Sequence, residues 1–347
     1  MTTLHVMPLD KFVPNFISFL NEQIPVKNQK IITFGDKNKY PFELNENHTH
    51  FGKYNLFFYI FVYIKSLFSN KVVFHSLLDI RLVCMLLLNP WLLKKSYWVI
   101  WGGDLYCFKS QLKTKYWCIK EFIRRPVLKN IPNAVTNTDG DIALLKKWYK
   151  NSHVKYHKCL VYPSNIFSEK LPNIYDYTNK KRKLNLLVGN SGIVTNNHKD
   201  IFDWLKAEGP YEFDIYCPLS YGQKDYIEEV IKLGESYFDK KFYFNKNLIS
   251  FKEYIEFLST IDICVFNHER QQGFGNCIQL LALGKTVFMN SRSPLFHELT
   301  RSGLKLKKTK EDAIEELSYS DLLINQKIID EKFSMQALNS SLVNWIL

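Results

Sequence analysis

Apolar and polar positions along the chain fall into two alternating rhythms. Short apolar runs of strand length are followed by longer stretches in which apolar residues recur every three or four positions. In the first half the strand-like runs are Leu4–Met7, Lys30–Phe34, Lys71–His75, Tyr97–Trp101 and Asn133–Asn137. Helical spacing occupies Phe12–Gln23, Tyr54–Phe68, Leu78–Leu88 and Asp139–Tyr149. The stretches at Tyr54–Phe68 and Leu78–Leu88 are so apolar that burial on most sides is expected. The second half repeats the rhythm. Strands are predicted at Leu184–Val188, Phe213–Cys217, Phe242–Phe244, Ile261–Phe266 and Thr286–Met289. Helices are predicted at Asn196–Trp204, Lys224–Leu233, Phe251–Leu258, Cys277–Leu283, Pro294–Arg301 and Ser334–Trp345. Such alternation predicts an α/β protein with doubly wound parallel sheets. A polar, turn-rich segment at 173–183 reads as a linker between domains 1–172 and 184–330, with 331–347 a terminal helix that reaches back onto the first domain.

At 347 residues, 46% of them hydrophobic, the chain is long enough for two cores. Its formal net charge of +12 implies an anionic partner: phosphates, nucleic acid or an acidic membrane face. The seven cysteines are scattered with no CxxC pair, which reads as free thiols in a reducing compartment. The N-terminus runs straight into a strand, and no signal peptide is predicted. Neither very apolar run reaches the roughly 18–20 residues of a membrane span, so a soluble protein that touches a membrane is expected.

Candidate chemistry lies where strands end, since ligands of open α/β sheets bind at the carboxyl ends of the strands. Ile261–Met289 reads as strand, turn, helix and strand, with Arg270, Gln271, Gln272, Gly273, Phe274, Gly275 and Asn276 in the turn. The glycines admit close backbone approach, the helix start aims unpaired N–H groups, and Arg270 offers a planar cationic fork. Gly189, Asn190, Ser191 and Gly192 make a second glycine turn between strand and helix. Without a Walker lysine or a GxGxxG pattern, it points to a two-sided anion cradle shared with the Arg270 turn. Pro218–Gly222, including Tyr221, suits a flat nucleobase. Trp101-Gly-Gly-Asp104 places a carboxylate at a strand end, so Asp104 is the first candidate for a general base and His75 the second. The alternatives are a helix cap for Asp104 and a satisfied core histidine for His75. No Asp-x-Asp metal motif sits at a strand end; Asp139 and Asp141 have the spacing but read as a helix start, and no metal is expected. Lys109–Lys129 carries seven basic residues against Glu121, with aromatics interleaved. This basic helix, with Lys113, Lys115, Trp117, Lys120, Arg124 and Arg125, is expected to face an anionic membrane; a solvated helix face is the plainer alternative.

Three stretches, Tyr97–Tyr106, Leu187–Gly192 and Arg270–Gly275, together resemble the signature segments of glycosyltransferase family 56, with weaker similarity through Asn290 and Pro294. That family is typified by transfer of 4-acetamido-4,6-dideoxygalactose from a dTDP carrier to a lipid-linked saccharide of enterobacterial common antigen, and is also catalogued as a 4-alpha-L-fucosyltransferase family. The resemblance implies a metal-independent GT-B fold, two Rossmann-like domains with a cleft between them and the donor held mainly by the second. It implies a dTDP-sugar donor, a polyprenyl-diphosphate-linked acceptor and a peripheral place on the cytoplasmic face of a bacterial inner membrane. In the donor loop, Gln271 and Gln272 stand where many GT-B enzymes carry an acidic residue. Two rivals share some of these features: a GT-B-like sugar-nucleotide epimerase or hydrolase, and a nucleic-acid-binding protein supported by net charge alone.

Overall fold

The computed structural model describes residues 2–23, 28–53, 55, 57–109, 114–174, 183–209 and 213–346. The chain divides into two compact units, 1–164 with 335–347, and 165–334. Most of the segment read as a linker, 175–182, lies outside the described residues.

The first unit is built on a seven-stranded parallel sheet. Its strands are β1 (Thr3–Pro8), β2 (Gln29–Gly35), β3 (His48–Gly52), β4 (Lys71–His75), β5 (Ser96–Val99), β6 (Asn133–Thr136) and β7 (Lys155–Lys158), in the order β3-β2-β1-β4-β5-β6-β7. The central strands are buried on both faces, which explains their continuous apolar runs. Edge strand β3 has no such run. Thr33 holds it through hydrogen bonds to His48 (2.8 Å) and His50 (3.0 Å). The helices are α1 (Val13–Gln23), α2 (Phe57–Leu67), α3 (Ile80–Leu88), α4 (Gly103–Tyr106), α5 (Lys115–Asn130) and α6 (Asp139–Tyr149). Right-handed crossovers running one way along the sheet put α2, α3, α5 and α6 side by side on one face. The reverse step from β1 to β2 puts α1 on the other face. The terminal helix of the chain (Met335–Ile346) joins this unit, with Lys71 donating to the carbonyls of Trp345 and Ile346. The expectation that Tyr54–Phe68 is buried on most sides is corrected: only Phe58, Val62 and Ser66 of α2 are buried.

The second unit carries a six-stranded parallel sheet, β8 (Leu184–Val188), β9 (Phe213–Pro218), β10 (Phe242–Asn245), β11 (Ile263–Phe266), β12 (Thr286–Met289) and β13 (Lys307–Lys308), in the order β10-β9-β8-β11-β12-β13. Its helices are α7 (His198–Ala207), α8 (Lys224–Phe238), α9 (Phe251–Ser259), α10 (Phe274–Ala282), α11 (Pro294–Arg301) and α12 (Tyr319–Lys332), followed by α13, the terminal helix already described. From β8 the chain winds outward to β10, then crosses back so that β11 lies on the other side of β8. The loops after β8 and β11 therefore diverge at a topological switch point, where an open α/β sheet leaves room for a ligand.

Candidate functional site

The two glycine turns meet at that switch point. Asn190 and Arg270 are joined through one side chain, Gln272. Its amide donates to Asn190 Oδ1 (3.0 Å), and its oxygen accepts from Arg270 Nε (2.8 Å) and Thr195 Oγ1 (2.6 Å). Gly273, at φ 71°, turns the chain into α10. A Cβ at Gly273 would stand 3.2 Å from Asn190 Nδ2 and 3.4 Å from His268 Nε2. No side chain caps the first turn of α10, so its N–H groups keep their partial positive charge at the loop. The far end of α10 closes in a Schellman arrangement, with Gly284 N–H on Leu281 and Lys285 N–H on Leu280.

The third loop is sewn to the first. Gly192 N–H donates to the Tyr221 carbonyl at 2.8 Å, and Gln223 N–H returns to the Gly192 carbonyl at 3.1 Å. The fit requires a glycine at 222: with φ 146°, a Cβ there would fall 2.0 Å from the Gly192 oxygen. Pro218, half-buried, ends β9, and Tyr221 is half-buried beside the glycine turn. Asn196 holds that turn from beneath. Its oxygen accepts from Asn190 N–H (3.0 Å), and its amide donates to the Ser191 carbonyl (3.0 Å). Gly189, Asn190, Ser191, Gly192, Gln271, Gln272, Gly273, Phe274, Gly275 and Asn276 all lie on this cradle or the helix leading from it.

In the first unit the strand ends carry a different chemistry from the one expected. Asp104 is 1% exposed. The glycines before it turn the chain so that its carboxylate folds back, one oxygen accepting from Leu77 N–H (3.0 Å) and Trp98 Nε1 (2.7 Å), the other from Trp101 N–H (3.0 Å). Burial raises its carboxyl above the ordinary aspartate range, against the lowering by the Trp98 and Leu77 donors and the charge of Arg124. The assignment of Asp104 as the base is corrected: it anchors the loops after β4 and β5. His75 is fully buried in a hydrogen-bonded chain whose proton positions follow from one another. Gln29 Oε1 takes the His5 Nε2 proton (2.8 Å), so His5 Nδ1 accepts from His75 Nε2 (3.0 Å). His75 Nδ1 then accepts from the Tyr162 hydroxyl (2.6 Å), which itself accepts from Trp101 Nε1 (2.6 Å). Burial drives His5 down to about 4 and His75 well below the usual histidine value, so both rings stay neutral. With both nitrogens engaged, His75 takes no hydroxyl proton either, and the plainer reading of a satisfied core histidine holds.

The basic helix is tied to the same loops. Arg124, 3% exposed, pairs with Glu121 (3.1 Å) and donates to the carbonyls of Leu77 (2.7 Å) and Asp104. It points inward, which corrects its placement on the membrane-facing side. Trp117 is half-buried, its Nε1 donating to the Cys107 carbonyl at 2.9 Å. Lys115 and Arg125 are exposed, Lys120 is half-buried, and Lys113 lies outside the described residues. Asp139 and Asp141 do open α6: Asp139 pairs with Lys158, and the buried Asp141 accepts from Thr136 and Tyr106.

The sequence model described as "4-alpha-L-fucosyltransferase glycosyl transferase group 56" matches residues 15–322. The chain belongs to glycosyltransferase family 56. Solved structures place this family 56 glycosyltransferase in the GT-B fold. It is similar to a glycosyltransferase from Rickettsia africae (13% identity, 99% of this chain and 97% of that one, TM-score 0.64). It is similar to Anabaena HepE solved with UDP-glucose (9% identity, 100% and 99% covered, TM-score 0.68). It also resembles WaaG, a glycosyltransferase involved in lipopolysaccharide biosynthesis (12% identity, 99% and 93% covered, TM-score 0.58).

Several polar residues that build this cradle had no signal in the sequence beyond their type. Thr195, Asn196, Asn197 and Asn267 act as connectors: the Asn197 amide donates to the Asn267 carbonyl, and Asn290 donates to the Asn267 side chain. His198 and His268 are fully buried beside the glycines of the two turns. Burial lowers His198 to about 3 and His268 to about 4. These rings, with His5, are neutral in the fold, whereas in the unfolded chain they take a proton near pH 6.5. Their folded values are depressed bases, so their contribution is complete above pH 6.5 and lost as pH falls toward 4. A displacement from 6.5 to about 4 is worth about 3 kcal/mol per ring at the acid end. Calorimetric melting is expected to be steady above pH 7 and to fall steeply between pH 6.5 and 4.5. An unchanged melting temperature over that range contradicts neutral burial of the three rings.

Proposed function

We propose that this family 56 transferase moves a deoxyhexose or deoxyaminohexose from a dTDP-linked donor to a polyprenyl-diphosphate-linked saccharide. The product would enter a bacterial surface polysaccharide, an O-antigen or common antigen, at the cytoplasmic face of the inner membrane. The observation that carries the donor half is the joining of three loops, after β8, β9 and β11, into one cradle. In this reading the open first turn of α10 and Arg270 take up charge on the departing diphosphate without a metal ion. The backbone of Pro218–Gly222 and the Tyr221 ring receive the base. Gln272 is already engaged with Asn190, Thr195 and Arg270, so it sets the loops, and the half-exposed Gln271 is left to address sugar hydroxyls. HepE, solved with UDP and with UDP-glucose on a comparable fold, supports a nucleotide-sugar donor.

With Asp104 and His75 enclosed, the role of accepting the acceptor's hydroxyl proton is assigned in this reading to Asp10, a strand-end carboxylate of the first unit. It follows β1, is half-exposed, and takes a local hydrogen bond from Lys11 N–H (2.6 Å). Exposed Lys115 and Arg125 on α5 would attract the anionic lipid surface that bears the acceptor. Binding of dTDP is expected to raise the melting temperature, by about 2.7 kcal/mol of stabilisation at a hundredfold excess over Kd. Asp10→Asn is expected to lower turnover about 10²–10⁴-fold while leaving the dTDP shift intact. No shift with any nucleoside diphosphate refutes the donor reading; full activity of Asp10→Asn refutes the base.

A further inference from the structure

Helix α2 is apolar almost throughout, yet one side of it is left uncovered. Phe57, Ile60, Ile64, Leu67 and the following Phe68 recur at helical spacing, and all five are exposed, Phe57 at 74% and Phe68 at 77%. Neighbouring α3 continues the surface at its end with Leu88, 75% exposed, and the turn beyond it adds Trp91 at 52%. α2 packs against α3, and both lie on the same face of the sheet as α5. A monomeric soluble protein rarely leaves so continuous an apolar strip in water, so something covers it.

The charges around the strip identify its occupant. Residues 57–67, 79–95 and 115–130 together hold nine basic residues and two acids. Glu121 is buried against Arg124, and Asp79, at the start of α3, pairs with Arg81 at 2.9 Å, which leaves seven further cations and no further acid. A protein partner would ordinarily meet a rim of mixed sign. An apolar strip whose border carries this excess of cations matches a bilayer with anionic headgroups over an acyl layer. Lys65 beside it lies along apolar surface, its ammonium over the Phe61 ring at 5.1 Å from the centre.

We infer that the outer side of α2, with the end of α3 and Trp91, is an insertion surface that enters the acyl boundary of an anionic bilayer. This rests on the membrane-borne acceptor proposed above, and deepens it. The basic α5 adsorbs by charge, whereas α2 holds by burying apolar side chains, and the two differ in their response to salt.

The test is sedimentation of the full chain with vesicles of phosphatidylglycerol and phosphatidylcholine, in 0.1 M and 1 M NaCl. Wild type is expected to bind at both salts, more weakly at the higher. A Phe57→Ser, Ile60→Ser, Phe68→Ser triple variant alters only exposed side chains and is expected to partition at least tenfold more weakly. Trp91 fluorescence, isolated as the difference from Trp91→Phe, is expected to be quenched by brominated acyl chains. Equal partitioning by the triple variant, or complete release of wild type in 1 M NaCl, overturns the inference. So does a wild-type protein that ignores vesicles and forms a dimer that the triple variant abolishes, since the occupant is then a second copy. The dTDP melting shift is measured on the same variants. Its retention with lost vesicle binding supports the inference, and its absence in wild type strikes instead at the donor reading.

Discussion

Arg270→Ala is expected to lower glycosyl transfer about 100- to 1,000-fold in kcat, the range seen when one preorganised donor to developing negative charge is removed. The departing diphosphate gathers charge as the glycosidic bond breaks. In the proposed site, Arg270 and the uncapped start of α10 lie at the same turn to receive it. The fixed guanidinium position matters as much as its charge. Arg270 Nε is hydrogen-bonded to Gln272 at 2.8 Å, and Gln272 is held in turn by Thr195 and Asn190. Arg270→Lys keeps a cation but not the fork that fits this hydrogen bond, and is expected to recover only part of the loss. Steady-state transfer from a dTDP-sugar panel measures both variants. A kcat for Arg270→Ala within threefold of wild type removes Arg270 from the chemistry.

The second large effect concerns stability. Arg124→Ala is expected to destabilise the first unit by about 3–5 kcal/mol, the usual consequence of leaving the other member of a buried ion pair unpaired. Glu121 would remain in a site where both side chains are 4% exposed. The carbonyls of Leu77 and Asp104 would lose their donor at the same time. Those carbonyls belong to the loops after β4 and β5, so the damage reaches the strand ends. Urea denaturation followed by tryptophan fluorescence reads the loss. A change below 1 kcal/mol would mean that Arg124 lies in solvent, as its place in a basic run first suggests.

The contrast between Arg124 and its neighbours explains what could be read from the sequence. Charge composition marked α5 as basic, but only three-dimensional packing separates the arginine turned toward Asp104 from the lysine and arginine turned outward. The donor cradle was legible because its determinants are local: apolar strands that stop at glycine turns, followed by helices with apolar spacing. Gln272 was legible as a polar loop residue, yet its role as the bridge depends on β8 and β11 being neighbours, which no local pattern states. The role of Asp104 is not legible locally, because a glycine pair before an aspartate at a strand end serves two purposes equally well. The turn that could present a carboxylate also folds it back onto Trp98, Trp101 and Leu77. Apolar composition alone does not separate the outer side of α2 from its inner side, since only the side bearing Phe58, Val62 and Ser66 meets the core. Strand β3 and helix α12 had no expectation at all. The first is a polar edge strand, and the second exposes Leu323 and Ile324 while burying Leu322 and Ile329, which blurs any stripe.

Calorimetric titration of dTDP into wild type and Gln272→Ala, with EDTA present, tests most directly whether the two turns grip the diphosphate together. Wild type is expected to bind in EDTA, and Gln272→Ala to bind at least tenfold more weakly while melting within about 4 °C of wild type, since its hydrogen bonds are half-buried and confined to the loops. Equal affinity in the two proteins, or wild-type binding that vanishes in EDTA and returns with magnesium, would contradict the account.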